Sequence, residues 1–481
     1  MSEDPVRPRK LRVTMDKPVF LGGAALIFIF VALTLLNLED AESFFASAKE
    51  MMVVSFGWFL VLTVNIILIG VIWLGYGRYG KMRLGPPGEK PEFSTLAWLA
   101  MLFSAGMGIG LLYYGVAEPL FHYASPPMAQ PETVEAAREA MAVSVLHWGL
   151  HPWAVYSLVA MALAFSCYRR GLPLTPAAIF EPLIGDRIHR WPGKVINIVA
   201  LLGTLFGVAT SLGFGAQQVN GGLHDVLNVP VTVRVQIMLI AGITALATLS
   251  VVLGLSRGIL RFSMFNIAVA ALLVVIVFVF GPTRSILDMF VQDLGAAASR
   301  FIELSTWTES YKGEESSWQH DWTLFYWAWW IAWSPFVGLF IARISKGRTL
   351  REFVTGVLFL PTILSVAWFT VFGGTALQLE MAGVANLVDD ANESVEQAQF
   401  ALFGALDFPK IVSVIAILAI IGFFVTSSDS GSLVIDIISA GGHLDPPKWQ
   451  RVFWAVTEGV VASVLLLGGG LTALQTGAIT T

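Results

Sequence analysis

Phe325-Tyr326-Trp327-Ala328-Trp329-Trp330-Ile331-Ala332-Trp333-Ser334-Pro335-Phe336-Val337-Gly338 holds four tryptophans within seven residues, inside an apolar run from 322 to 343. A run of about 20 residues crosses the hydrocarbon core of a bilayer as one helix. Aromatic density at that depth has three readings. Tryptophan and tyrosine gather in belts at headgroup level, or pack a protein core, or turn ring faces toward a cation that offers no hydrogen-bond donor. A belt belongs at the end of a span and this cluster lies well inside one, which favours the cage.

The rest of the chain has the same character. Of 481 residues, 56% are hydrophobic and only 13% charged, the composition of a polytopic helical membrane protein. Runs long enough to span occur near 19–37, 53–75, 94–115, 142–167, 195–222, 234–254, 264–281, 322–343, 351–373, 409–438 and 451–468, eleven in all, with a twelfth beginning at Leu471. Basic residues fall in the N-terminal tail (Arg7, Arg9, Lys10, Arg12, Lys17) and in alternate loops, such as Arg78/Lys81/Arg83 and Arg343/Lys346/Arg348/Arg351. These loops belong in the cytoplasm. The intervening loops are acidic, with Glu132, Glu135 and Glu139 in one and Asp389, Asp390, Glu393 and Glu396 in another. The first apolar run is a full span, and the small triplet Ala46-Ser47-Ala48 falls well past its end, so it reads as an uncleaved anchor and not a signal peptide. The net charge of −5 gives no footprint of nucleic-acid binding, and the single cysteine, Cys167, forms no internal disulfide.

Two linkers stand out. Residues 282–321 open with Pro282 and then alternate Ile286, Leu287, Phe290, Val291 and Leu294 with polar positions, the pattern of an amphipathic helix on the outer interface. Residues 374–408 are polar and acidic and read as an external loop with one short helix.

Three spans carry residues that plain membrane helices lack. The third holds Ser104-Ala105-Gly106-Met107-Gly108-Ile109-Gly110; glycine costs a helix about 1 kcal/mol relative to alanine, so the helix is expected to open there and expose backbone groups to a cavity. Close packing through Gly106 and Gly110 is the other reading. The fourth holds His147-Trp148-Gly149-Leu150-His151-Pro152-Trp153 and Tyr156. Helical spacing sets Trp148, Trp153 and Tyr156 on one broad face and the histidines on the other, with a kink at Pro152. Two histidines alone make a poor metal site, and no third ligand is near them in sequence. The tenth span holds Phe423, Thr426, Ser427, Ser428, Asp429, Ser430 and Ser432, with Asp436 beyond; such polarity in lipid faces a cavity or an ion path.

Gly106 to Gly110, Gly115-Val116-Ala117-Glu118-Pro119, His147-Trp148, His151-Pro152-Trp153, Trp327 to Gly338 and Ala342-Arg343-Ile344-Ser345 together resemble the betaine/choline/carnitine transporter family, over almost the whole chain. The resemblance implies an all-α fold with two peripheral helices and two inverted five-helix repeats. It divides the chain into a cytoplasmic tail (1–18), peripheral helices (19–92), a first repeat (93–281), an external amphipathic helix and linker (282–319) and a second repeat (320–481) whose last helix is truncated. It implies homotrimers with the amphipathic helix at the contact. Trp148, Trp153, Tyr156 and Trp330 match the family's aromatic box; Trp329, Trp333 and Phe325 match residues lining the passage; backbone groups of Ala105, Gly106, Met107, Gly108, Ile109 and Gly110 complete the pocket. One sodium ion is implied between carbonyls of Ser104, Met107 and Phe423 and hydroxyls of Thr426 and Ser427. A second is implied at Thr204 and Phe336, but Val208 stands where the pattern has a hydroxyl.

The resemblance also bears on substrate. Choline-type members often carry aspartate where this chain has Gly110, so a zwitterion that brings its own carboxylate fits better. The expectation is a sodium-coupled importer, in the inner (plasma) membrane with its N-terminus cytoplasmic, of glycine betaine or a related quaternary-ammonium or sulfonium compatible solute. Alternatives are a choline or carnitine carrier driven by protons or exchange, and a truncated remnant that does not transport. An enzyme using His147, His151 and Asp429 lacks a nucleophile–base spacing. No cofactor beyond the coupling ion is expected.

Overall fold

A computed structural model describes residues 15–106, 108–252, 258–311 and 318–479. The helices are α1 (Lys17–Leu36), α2 (Leu38–Tyr76), α3 (Thr95–Gly106), α4 (Gly108–Ala124), α5 (Val134–Trp148), α6 (Leu150–Ala164), α7 (Trp191–Leu227), α8 (Val233–Val252), α9 (Gly258–Phe280) and α10 (Thr283–Thr306). They continue as α11 (Phe325–Ile344), α12 (Leu350–Met381), α13 (Leu387–Glu393), α14 (Ala398–Gly404), α15 (Pro409–Ser439) and α16 (Lys448–Ile479). Among the described residues there is no strand, only an isolated bridge between Arg83 and Thr349. Among the described residues eight helices are long and apolar enough to cross a membrane, or nine if the bent pair of α9 and α10 counts as one span.

The remaining expected spans are also helical. Residues 94–115 form α3 and the start of α4, on either side of residue 107, which lies outside the described residues. Gly108, Ile109 and Gly110 lie in α4, so the expected opening does not extend over these three residues. The expected span at 234–254 is α8, whose apolar stretch, Val233–Leu249, is short.

Two local expectations are corrected. The fourth span breaks at Gly149, not Pro152: Gly149 has φ −99° and ψ −126°, and Pro152 sits in the first turn of α6, where its missing N–H interrupts no helical bond. The 374–408 segment is more than a loop. It finishes α12 and then forms α13 and α14, which bury Leu387, Phe400 and Phe403 and pack on α4.

At the centre α7 packs along α15, α16 and α11, while α11 packs along α6. Gly207 lets α7 approach α11 closely, since a Cβ there would fall 2.1 Å from Trp333 Nε1. Pro335 stands inside α11 and removes the N–H that would reach the Ile331 carbonyl. Ser334 Oγ donates to that carbonyl at 2.7 Å instead, which keeps the bond satisfied where water is scarce. The amphipathic helix expected after Pro282 is α10, turned through 115° from α9. It is tied to α5 by Arg300 on the buried Glu139, 2.8 Å.

Candidate substrate site

Helical spacing sets Tyr326, Trp329, Trp330 and Trp333 on one face of α11. Trp329 and Trp330 stack with centroids 4.8 Å apart at 15°, and Tyr326 stacks on Trp330 at 5.6 Å. Trp148 meets Trp330 edge-to-face at 5.1 Å and 71°. Tyr156 meets it at 6.3 Å and 80°, and Trp153 meets Tyr156 at 5.8 Å and 88°. Phe325 and Trp333 flank Trp329 at 5.4 and 5.8 Å, and Phe336 follows Trp333 at 5.7 Å. Every one of these rings is buried. They form one connected cluster built from α5, α6 and α11, which bring together the aromatic face read on the fourth span and the tryptophan-rich run at 322–343. Trp327 does not join it, turning instead to His151 at 4.9 Å.

Gly110 touches this cluster directly: a Cβ there would lie 2.8 Å from Trp148 and 3.4 Å from Trp329. The side chains of Ser104 and Ala105, and Met107 altogether, lie outside the described residues; Gly106 ends α3.

Glu118, on α4 and fully buried, is the group that sequence reasoning missed. Its Oε2 accepts from Trp148 Nε1 at 2.7 Å and Tyr326 Oη at 2.5 Å. Its Oε1 takes His147 Nδ1 at 2.7 Å and His122 Nε2 at 3.4 Å. His147 therefore faces the same carboxylate as its neighbour Trp148, against the expected opposite faces, and its Nε2 pairs with Thr323 Oγ1 at 3.0 Å. The expected histidine pair also separates: His151 reaches Asn65 Oδ1 at 3.3 Å. The third group lacking near His147 in sequence comes from α4, with ligand-type atoms of Glu118, His122 and His147 all within 4.8 Å. Their mutual hydrogen bonds account for the arrangement. The available signal was a lone carboxylate inside an apolar helix, a functional marker by default.

On α15, Phe423, Thr426 and Ser427 are buried, and Phe423 packs on Gly108, where a Cβ would stand 3.1 Å from its ring. Thr426 Oγ1 donates to the Gly422 carbonyl at 2.9 Å and accepts from Asn266 Nδ2 at 2.7 Å. A hydroxyl has two lone pairs, so one remains. Thr204 Oγ1 donates to Ala200 O at 2.7 Å. Val208 Cγ2 and Glu458 Oε1 lie 2.5 and 3.2 Å from the point where a Cβ on Gly431 would stand, so a buried carboxylate adjoins the position that lacks a hydroxyl. Among the described residues no hydrogen bond joins Asp429 to His147 or His151.

A polytopic helical bundle with aromatic rings and isolated polar groups gathered in its interior is suited to carrying a small solute across a membrane. The family profile described as BCCT, betaine/carnitine/choline family transporter, matches residues 18–481. The chain belongs to that family. It is 45% identical over 475 residues to glycine betaine transporter 1 of Vibrio parahaemolyticus, covering 97% of this chain and 90% of the relative. It is 41% identical over 445 residues to glycine betaine transporter OpuD of Bacillus subtilis, covering 92% and 86%. An uncharacterized transporter of Mycobacterium tuberculosis is 46% identical over 475 residues, covering 97% and 80%.

Proposed function

We propose that the protein imports glycine betaine or a similar zwitterionic onium solute, coupled to sodium, across the inner (plasma) membrane, with its N-terminus in the cytoplasm. The observation that carries this reading is the cluster of Trp148, Trp153, Tyr156 and Trp330, buried at the meeting of α5, α6 and α11. Ring faces are the protein's means of gripping a methylated cation without a hydrogen bond. The indole Nε1 atoms of Trp153, Trp329 and Trp333 and the Tyr156 hydroxyl are buried without a hydrogen-bond partner. Buried donors are ordinarily paired, and a solute carboxylate offers acceptors for them. Indole donors of the cluster that lack a hydrogen-bond partner can take the carboxylate of a zwitterion, which a bare cation does not carry. Relatives whose names specify glycine betaine support the same solute.

Sodium coupling is supported by Thr426 Oγ1, which keeps one lone pair, beside Ser427 and Phe423 at the contact of α15 with the start of α4. The two halves, 93–281 and 320–481, would then act as inverted repeats around a central site. A homotrimer with α10 at the contact fits the exposure of Val291 (70%) and Ile302 (77%) on that amphipathic helix.

The test is Trp330→Leu in purified protein of unchanged helical content. Glycine betaine affinity should fall about tenfold or more, the weight of one desolvated ring contact. Unchanged affinity by calorimetry would remove the cluster from the substrate path.

A further inference from the structure

We propose that Glu118 is the fixed countercharge of the aromatic cluster: through Trp148 and Tyr326 it sets the preference for a cationic head over a neutral one of the same shape. The inference rests on the substrate reading above and assigns a role to a residue outside it.

Glu118 accepts an indole N–H, a phenol O–H and an imidazole N–H within 2.7 Å, with a second imidazole at 3.4 Å. An ionised carboxylate is acceptor-only and takes such a set on its two oxygens, whereas a protonated one would fit only with the His147 tautomer reversed, its Nε2–H donating to Thr323 Oγ1. Hydrogen bonds to the anion are the strong kind. Among the described residues the cationic groups within ion-pair distance of Glu118 are the two imidazoles, which carry charge only if protonated. With both neutral, the knot is a buried net negative charge one indole away from the proposed cage, and a low-dielectric interior screens it little.

The knot also sets geometry. Trp330 Nε1 donates to the His147 carbonyl at 2.9 Å, so both Trp148 and Trp330 hang from residues of this network. Trp153, Trp329 and Trp333 have no partner at Nε1. An N–H donated to an anion also leaves the indole ring more electron-rich. Its face then attracts a cation more strongly, since that attraction is electrostatic.

Glu118→Gln separates charge from shape. The glutamine oxygen still accepts from Trp148 and Tyr326, and its amide N–H meets His147 Nδ1 if the imidazole changes tautomer and donates to Thr323. The probes are glycine betaine and tert-butylacetate, the isostere with carbon in place of the quaternary nitrogen and the same carboxylate. Dissociation constants are measured on the full chain in lipid nanodiscs. In E118Q, glycine betaine should weaken about tenfold while tert-butylacetate changes less than about twofold, the range of one cation–ring contact. Glu118→Asp, which keeps the charge, should keep the preference for betaine while both ligands weaken.

Equal losses for both ligands in E118Q would reduce Glu118 to scaffolding and overturn the proposal, as would an unchanged betaine constant. If E118Q is not recovered folded, the aspartate variant decides, and a lost preference there overturns it. Wild type binding both ligands equally would overturn it without any variant. Trp330→Leu keeps the two readings apart: a strong effect there with an intact preference in E118Q sinks only the countercharge.

Discussion

At residue 110 even a methyl group has no room. A Cβ would stand 2.8 Å from Trp148 and 3.4 Å from Trp329, and both rings are buried against further aromatics. Close-packed interiors do not absorb such an intrusion without moving side chains off their rotamers. Gly110→Ala should therefore weaken glycine betaine binding about tenfold, as one displaced ring contact would, with circular dichroism and elution profile unchanged. Parent-like binding by calorimetry would take Gly110 out of the cage wall. The sequence allowed Gly110 to be read as a missing charge; that it is also a missing volume depends on where Trp148 and Trp329 arrive from other helices, which no local pattern encodes. Glu118 escaped for the same reason. Its partners lie 4, 29, 30 and 208 residues away in sequence, and only His122, one helical turn on, is at a periodic spacing.

Among the elements, α10 is held from two sides by polar contacts. Arg300 reaches Glu139 on α5, and Asp293 accepts from Thr370 Oγ1 on α12 at 2.7 Å. Burial raises the Asp293 carboxyl to about 6, and the Thr370 hydrogen bond pulls only partly the other way. A carboxyl whose pKa is raised by folding stabilises the docked state most when protonated. That contribution is full below about pH 4, the unfolded value, and is lost as pH climbs through about 6. Hydrogen exchange in α10 should thus be faster at pH 7.5 than at pH 5 after correction for intrinsic rates, and Asp293→Asn should flatten that difference. A slope that survives in the asparagine variant would place the titrating group elsewhere. Helix identity here was legible, since Ile286, Leu287, Val291 and Leu294 recur on one stripe. The break at Gly149 was not. Proline is the louder helix breaker in sequence, but a proline in the first turn is harmless, and only the backbone reveals that glycine takes the non-helical step. The short helices α13 and α14 were hidden because their buried Leu387, Phe400 and Phe403 are too few to give a period.

For the whole molecule, the spans were legible because hydrocarbon length fixes them, and the energetics follow from what crosses. A zwitterion carries no net charge, so under the proposed coupling the ions alone feel the membrane voltage. One charge moved inward gains about 2.3 kcal/mol per 100 mV, enough for roughly fortyfold accumulation, and two would exceed about a thousandfold. In proteoliposomes, a glycine betaine jump should drive inward positive current with sodium outside and none when potassium replaces it. Current without sodium would point to protons, and solute uptake without current to exchange. Val208 leaves the second ion set without its hydroxyl, so one charge per solute is the expected ratio of integrated current to radiolabelled uptake. A ratio of two would instead give the hydroxyl's part to Glu458, whose Oε1 adjoins Val208 at Gly431 and has no hydrogen-bond partner of its own. Glu458→Gln should then return the ratio to one while leaving betaine binding intact, because that carboxylate lies on α16 and outside the aromatic cluster.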